Sequence, residues 1–422
     1  MLPLRLLPTS RTMRRRAAFI VRLLLAAAFF ACQRPLFAGR QRPLLTYNLN
    51  FQLSQTNFVD TIAIDWERHQ VLVPVTIGGR EYRFLFDTGA SQCVVYDDAP
   101  IEGCRHAGHI PSYDAIGRRD TVEVVTLPPM TIGSTTFTGC QATVQHRTVR
   151  RHDIDGIVGF SLIAKGLSAK IDVRRQHLIL TDRRDFFSRE TSYTERYRLN
   201  YNVPYVRVNP FGRYTEQVMF DTGSRQFYAI NATSFQRATA RRGADATDGV
   251  QLLGRAFGRQ AIGFSGAEPA GELLRLKLSA LRFGDFLFTD VVTATTRGGS
   301  HLGAAMLDYG TLTILPRRRL LCFQPYDGGN QCAVRNEQPD IAFIDADGQP
   351  AVGMVVDGST PYQRGFRPGD VIISIDDRPV SSFSQFVGWG FEQGREYRFL
   401  VRHQSGLTEE LRWVRRPLTT KE

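Results

Sequence analysis

"FLFDTGASQCVVYD", residues 84 to 97, runs three apolar residues into an acid, Asp87, and continues Thr88, Gly89, Ala90 before the apolar pattern resumes. A carboxylate ending an apolar strand is expensive to bury as a charge, so its position calls for a compensating environment or a chemical role. Asp, Thr and Gly are also ordinary turn residues, and one copy of three letters reads as a turn that caps a strand. A second copy removes that reading. "EQVMFDTGSRQFYAIN", residues 216 to 231, repeats the apolar run, then Asp221, Thr222 and Gly223, then the return to apolar alternation.

Three further matches follow in the same order. "LPPMTIGSTTFTG" (127 to 139) resembles "LSALRFGDFLFTD" (278 to 290), each with an apolar residue before a Gly and Phe-Thr four residues later. "DGIVGFSLI" (155 to 163) resembles "SHLGAAML" (300 to 307), and an arginine pair then leads into an apolar strand in "VRRQHLIL" and "LPRRRLLCF". Four features in register make an internal duplication. Both halves are rich in short Val, Ile, Phe and Tyr runs bounded by Gly, Asp or Asn turns, such as "QVLVPVTI", "YRFLF" and "RLKLSALRF". Helical signal is local, as in "NATSFQRATARR", where Asn231 is a candidate N-cap. The fold class expected is mainly β, two duplicated lobes at 41 to 192 and 193 to 331, followed by a smaller segment of different texture.

The 422 residues allow two or three domains with sizeable cores. The formal charge of +12 invites a nucleic-acid reading. Six arginines (Arg5, Arg11, Arg14, Arg15, Arg16, Arg22) lie in the first 31 residues, which hold no acid, and setting them aside leaves +6. The remaining arginines are scattered and no aromatic-interleaved basic stripe appears, so no nucleic-acid partner is expected. Residues 1 to 38 read as an export signal and linker: a basic start, then an apolar stretch too short and too interrupted by Arg22 for a membrane span. Cys32 closes that stretch in "FFAC" and is a candidate for lipid attachment and membrane anchoring, with ordinary cleavage nearby as the alternative and Phe29 standing where Leu is usual. An exported, periplasmic or envelope location permits disulfides, and Cys93 with Cys104 and Cys322 with Cys332 are the sequence-local pairs, leaving Cys140 over. No zinc-type Cys or His spacing is present, and neither a metal nor a cofactor is expected.

Twofold Asp-Thr-Gly with a later apolar-apolar-Gly in each half resembles the aspartic peptidases, bilobal pepsin-like or fused retropepsin-like, over about residues 60 to 325. The resemblance implies that Asp87 and Asp221 meet at the lobe interface as catalytic residues, with Gly159 and Gly303 beneath them. It implies polypeptide substrates. The residue types make chemical sense on their own. Two close carboxylates cannot both ionise cheaply, so they share a proton, one acting as base toward a water and the other as acid toward the substrate carbonyl. Gly89 and Gly223 let backbone N–H groups approach, and Thr88 and Thr222 can tie the loops together. Ala90 and Ser224 differ between the copies, and the Ser224 hydroxyl is expected to donate to Asp221, leaving Asp87 as proton carrier.

"PSYDAIGRRDTVEVV" is the candidate for a hairpin flap, with Gly117 at its tip and Tyr113 either facing substrate or packed on its own sheet. His152 and His177 read as surface residues. Residues 335 to 416 resemble a PDZ domain through "GFRPGDVI" and the hairpin "SIDDRPV", which implies capture of an extended peptide or protein partner at a sheet edge. The loop before "IAFIDADG" reads "NEQPD", without the glycine-rich carboxylate cradle of such domains. Two rival readings are a catalytically inactive envelope peptide-binding or scaffold protein that retains the fold, and a lipid-anchored scaffold whose PDZ-like part is the active piece.

Overall fold

The computed structural model describes residues 49–98, 100–113, 119–147, 154–240, 248–259, 262–263, 266–267, 269–336 and 338–415. The chain is mainly β, as its alternating short runs predict. In the first lobe Gln70–Ile77 and Arg80–Asp87 form a hairpin closed by Gly78 and Gly79, both at positive φ, which only glycine adopts without strain. Arg80–Asp87 then pairs in parallel with Gly156–Gly159, setting Asp87 opposite Gly159. The second lobe repeats this: Val203–Phe211 pairs with Tyr214–Asp221, which runs parallel to His301–Gly303 with Asp221 opposite Gly303. A short helical segment follows each glycine, Ser161–Ala164 and Ala304–Asp308. Asn231 caps the helix Ala232–Ala240 by accepting from Ser234 N at 2.9 Å.

The lobes are joined by six antiparallel strands in the order Val59–Ala63, His177–Thr181, Ser168–Asp172, Gly310–Leu315, Leu320–Pro325 and Tyr193–Asn200. The central pair sets Ala169, Lys170 and Ile171 against Ile314, Thr313 and Leu312. All six residues of Gly310–Leu315 are buried, so this sheet is part of the core and not a surface bridge. The arginines of the repeated "RR" segments lie in the two hairpin turns of this sheet, where Gln176 and Arg319 take positive φ. One core runs through both lobes, with Phe84, Phe86 and Val158 under the first loop and Phe220, Leu302 and Ala304 under the second.

The C-terminal domain has its own core around Phe366, Ile372, Ile375, Phe399 and Val401. Its strands are Ile341–Ala346, Gln349–Val356, Val371–Ile375, Glu396–Arg402 and Thr408–Val414, with short helices Thr360–Gln363 and Phe383–Val387. Asp347 and Gly348, both at positive φ, close its first hairpin. No helix of the described residues is long and apolar enough to cross a membrane.

The five described cysteines are free thiols, which corrects both expected disulfides. Cys322 packs with Phe187, Leu315 and Leu320, whereas Cys332 packs against the main core beside Phe288. Cys93 lies inside the first-lobe core, where burial pushes its thiol up to about 11, while Cys104 sits half-buried ahead of the hairpin strand Arg105–Tyr113.

Candidate active site

Each Asp-Thr-Gly turn closes on its own carboxylate. Gly89 N and Ala90 N donate to Asp87 Oδ1 at 2.7 and 3.2 Å, and Gly223 N and Ser224 N donate to Asp221 Oδ1 at 2.9 and 3.2 Å. The threonines turn away from solvent and across the lobe boundary. Thr88 Oγ1 donates to Phe220 O (2.7 Å) and accepts from Thr222 N (3.0 Å); Thr222 Oγ1 donates to Phe86 O (2.8 Å) and accepts from Thr88 N (3.0 Å). Both threonines are fully buried, so these four bonds are shielded from competing water. At about 1 kcal/mol net apiece they contribute on the order of 4 kcal/mol to lobe association.

This grip brings the two carboxyls together. Asp87 and Asp221 hydrogen-bond to each other and keep partial access to solvent while protein surrounds them on the remaining sides. Burial, then the neighbouring Asp221 charge, pushes the Asp87 carboxyl well above its usual range. Burial raises Asp221 as well, opposed by the bond from Asp87 and by the amides of Gly223 and Ser224. The pair thus holds one shared proton into a pH range where free aspartates are ionised.

The glycines are steric necessities. A Cβ on Gly89 would lie 2.5 Å from Asp221 Oδ1, and one on Gly223 would overlap the Asp87 carboxyl. Beneath them, a Cβ on Gly159 would run into Gln92 O and one on Gly303 into Gln226 O. The returning strands can cross under the loops only without side chains.

Ser224 departs from expectation. Its hydroxyl accepts from Gln226 N at 3.4 Å and makes no bond to Asp221; the Ser224 amide does, as the Ala90 amide does for Asp87. The side-chain difference between the two loops is therefore not what polarises the dyad. Tyr113 ends the strand Arg105–Tyr113 opposite Arg119 of Arg119–Thr126, so the predicted flap is a hairpin over this part of the chain. Gly117 lies outside the described residues, as does His152, and His177 is exposed at the start of its strand.

Sequence reading missed the residues that meet across the lobes. Asn202 Nδ2 donates to Ser91 O at 2.7 Å, Arg225 Nη2 to Gln70 Oε1 at 3.0 Å, and Trp66 Nε1 to Asp308 Oδ1 at 3.1 Å. Tyr96 and Tyr205 were also overlooked. Their hydroxyls are raised chiefly by burial, with smaller contributions from the charges of Asp87 and Asp221 respectively. Arg147 stacks 4.0 Å from the Tyr96 ring centroid and steadies it. Among the described residues no cluster of His, Cys, Asp and Glu is arranged to hold a metal ion.

Two lobes and two facing carboxyls that share a proton and are partly open to solvent define an acid–base site suited to activating water. The sequence model of the aspartyl protease family matches residues 73–162, the stretch that carries Asp87, the hairpin and Gly159, and so supports an aspartic-protease character for this region. No curated protein matches the chain.

Proposed function

We propose that the protein is an aspartic endopeptidase that hydrolyses polypeptides with water activated between Asp87 and Asp221. The observation that carries this is the reciprocal Thr88–Thr222 grip, which sets the two carboxyls face to face. The ionised partner takes a proton from the water as it attacks the peptide carbonyl; the protonated partner donates to the developing oxyanion, and the proton then passes to the leaving nitrogen. Amides of the Asp-Thr-Gly loops hold each carboxyl in position. The hairpin Arg105–Tyr113 and Arg119–Thr126 is the cover, with Tyr113 at the end of its first strand and Gly117 the tip candidate from sequence.

The C-terminal domain is a PDZ-like module that binds an extended peptide or protein partner. The strand Ile341–Ala346 supports this: among the described residues it pairs only with Gln349–Val356, leaving one edge for strand addition, and its Phe343 ring lies 4.8 Å from Phe386 of the helix Phe383–Val387. The N-terminal segment directs export to the periplasm or envelope, with Cys32 as the anchoring candidate.

The test is cleavage of a mixed peptide library by residues 41 to 422 from about pH 3 to about pH 7, beside Asp87→Asn and Asp221→Asn. Cleavage abolished by either substitution is the expected result. A folded wild type that binds peptides and cuts none of them overturns the peptidase reading in favour of a binding protein.

A further inference from the structure

A cavity of about 690 Å³ opens between the second-lobe hairpin (Val250–Gly258 and Gly271–Phe283) and the C-terminal domain, and none of the dyad-loop residues lines it. That volume is in the range of sites that hold small ligands or short chain segments. Four guanidiniums reach its wall: Arg275 from the hairpin, and Arg364, Arg412 and Arg415 from the C-terminal domain. Asp340 pairs with Arg275. One carboxylate, Glu396, is shared by Arg364 at 2.9 Å and Arg412 at 3.3 Å. Arg415 donates to the carbonyl of Phe391 and joins no ion pair among the described residues. Four guanidiniums against two carboxylates leave the cavity with a surplus of two positive charges.

The rest of the wall is mixed, with Asn336, Gln338 and Thr360 beside apolar side chains, and part of the apolar portion is placed by a backbone irregularity. The pairing of the two hairpin strands jumps from Leu252↔Leu276 to Gly254↔Arg275, so Leu253 is the extra residue of a bulge. Bulges re-aim side chains. Leu253 is 42% exposed and lines the cavity, facing a wall that includes Trp413 and Val414. Gly254 completes the arrangement, since a Cβ there would lie 2.8 Å from Val356 Cγ1 and the bulge packs closely on that side chain.

We propose that this cavity binds an acidic polypeptide segment bearing apolar side chains. Charge complementarity names the ligand's sign, and the fork of a guanidinium matches a carboxylate in two parallel hydrogen bonds. The shape favours a peptide over the other polyanions. Nucleic-acid binding calls for cations spread along a face to track phosphates, and a bilayer presents a plane, whereas these arginines converge on one concavity with Leu253 and Trp413 in it. The site lies on the side of the Thr360–Gln363 helix and reaches Ile341 at the start of the strand Ile341–Ala346, while no residue of the helix Phe383–Val387 lines it, and it stands whether or not the dyad cleaves anything.

The experiment uses residues 41 to 422 carrying Asp87→Asn, so that no probe is consumed. A fluorescein-labelled peptide of about ten alternating Glu and Leu residues is titrated by anisotropy beside a Lys-Leu peptide, a DNA hairpin and phosphatidylglycerol vesicles, with and without Trp413→Phe. The Glu-Leu peptide is expected to bind, less tightly in the Trp413→Phe variant, and the Lys-Leu peptide is not. Arg412→Glu with Arg415→Glu should weaken binding by about tenfold or more, and Leu253→Ser should weaken it with the charges intact. Thermal melting checks that these variants, altered at exposed side chains, remain folded. Absence of binding, binding indifferent to charge reversal, or DNA or vesicles bound as tightly through the same arginines would each overturn the proposal. Since a chain disabled for cleavage is measured, failure here leaves the peptidase reading intact, and failure of that reading leaves this site standing.

Discussion

The two lobes match at their loops and diverge at their hairpins. In the first lobe the outer strand Arg105–Tyr113 pairs, among the described residues, only with Arg119–Thr126. In the second lobe the outer strand Val250–Gly258 carries a further strand, Gln349–Val356 of the C-terminal domain, through Ala256↔Val356, Phe257↔Val355 and Gly258↔Met354. Arg259 N to Gly353 O and Asp357 N to Arg255 O, both 2.7 Å, extend that seam, and Ala256, Leu273, Met354 and Val356 form a small core under it. Duplication kept what the chemistry requires of the backbone and released what it does not. A hairpin with one free edge opens at low local cost, whereas one locked into a neighbouring domain opens only with that domain. The first-lobe hairpin thus suits a moving cover, and the second a fixed wall.

The largest predicted effects test the sameness of the loops. Gly89→Ala and Gly223→Ala each drive a methyl into the opposite carboxyl, and neither position has positive φ, so displacement of the dyad is the main consequence. Each is expected to lower kcat by about 100-fold or more with little change in KM, since a displacement of roughly 1 Å suffices for that. Steady-state kinetics of both, side by side, would break the twofold picture if only one were inactive. Thr88→Val and Thr222→Val each leave one buried amide and one buried carbonyl without a partner. Both should cost about 2–3 kcal/mol in urea unfolding and agree with each other within about 0.5 kcal/mol. A marked inequality would mean that one lobe, and not the grip, bears the load.

How far the sequence disclosed this arrangement depends on the range of the contacts. Asp87, Asp221 and the glycines at 89, 159, 223 and 303 were legible because the same short motif recurs in both halves and the glycines sit where a Cβ would meet a neighbouring segment. Asn231 was legible for a local reason, as a cap whose partner lies three residues on. The contacts between Asn202 and Ser91, Arg225 and Gln70, and Trp66 and Asp308 left no mark, since they join residues far apart in sequence and any polar pair would serve. The seam between Val250–Gly258 and Gln349–Val356 was hidden likewise, because backbone pairing constrains side chains weakly. The cysteine pairs failed because proximity in sequence does not put Sγ atoms on one face: Cys322 and Cys332 belong to separate clusters. Ser224 misled because its hydroxyl found a nearer partner in Gln226 N.

The divergent hairpins are separated by a paired glycine experiment of intermediate effect. Gly108, at the register shift of the first hairpin, has φ +131 and open space around the missing Cβ; Gly258, in the second, has φ +151 and the Gly353 carbonyl where a Cβ would sit. Gly108→Ala should cost roughly 1 kcal/mol of backbone strain. Gly258→Ala adds a steric clash at the seam and should cost roughly 1–2 kcal/mol more, with the C-terminal domain melting as a separate, earlier transition in calorimetry. Equal costs and a single transition in both variants would show that the seam does not couple the domains.

The smallest effects concern pH and bear on whether the two carboxyls act as one. Both native pKa values are raised above the ordinary 3.8, first by burial, so the native state holds a proton that the unfolded chain releases. Stability should fall as pH rises from about 3.8 through the raised native value, and below about 3.8 the difference should vanish because both states are protonated. Asn at either position removes this penalty. Asp87→Asn and Asp221→Asn should therefore melt roughly 2 °C or more above wild type near neutral pH and level with it in acid. A gain for one substitution alone would assign the proton's cost to a single lobe and end the description of a shared dyad. Ser224→Ala should leave the pH–rate profile where it was, because the Ser224 hydroxyl is occupied by Gln226 N and the donor to Asp221 is an amide that the substitution keeps. If that profile moved, the hydroxyl would have to turn to Asp221 during the reaction, and the asymmetry between Ala90 and Ser224 would belong to the mechanism.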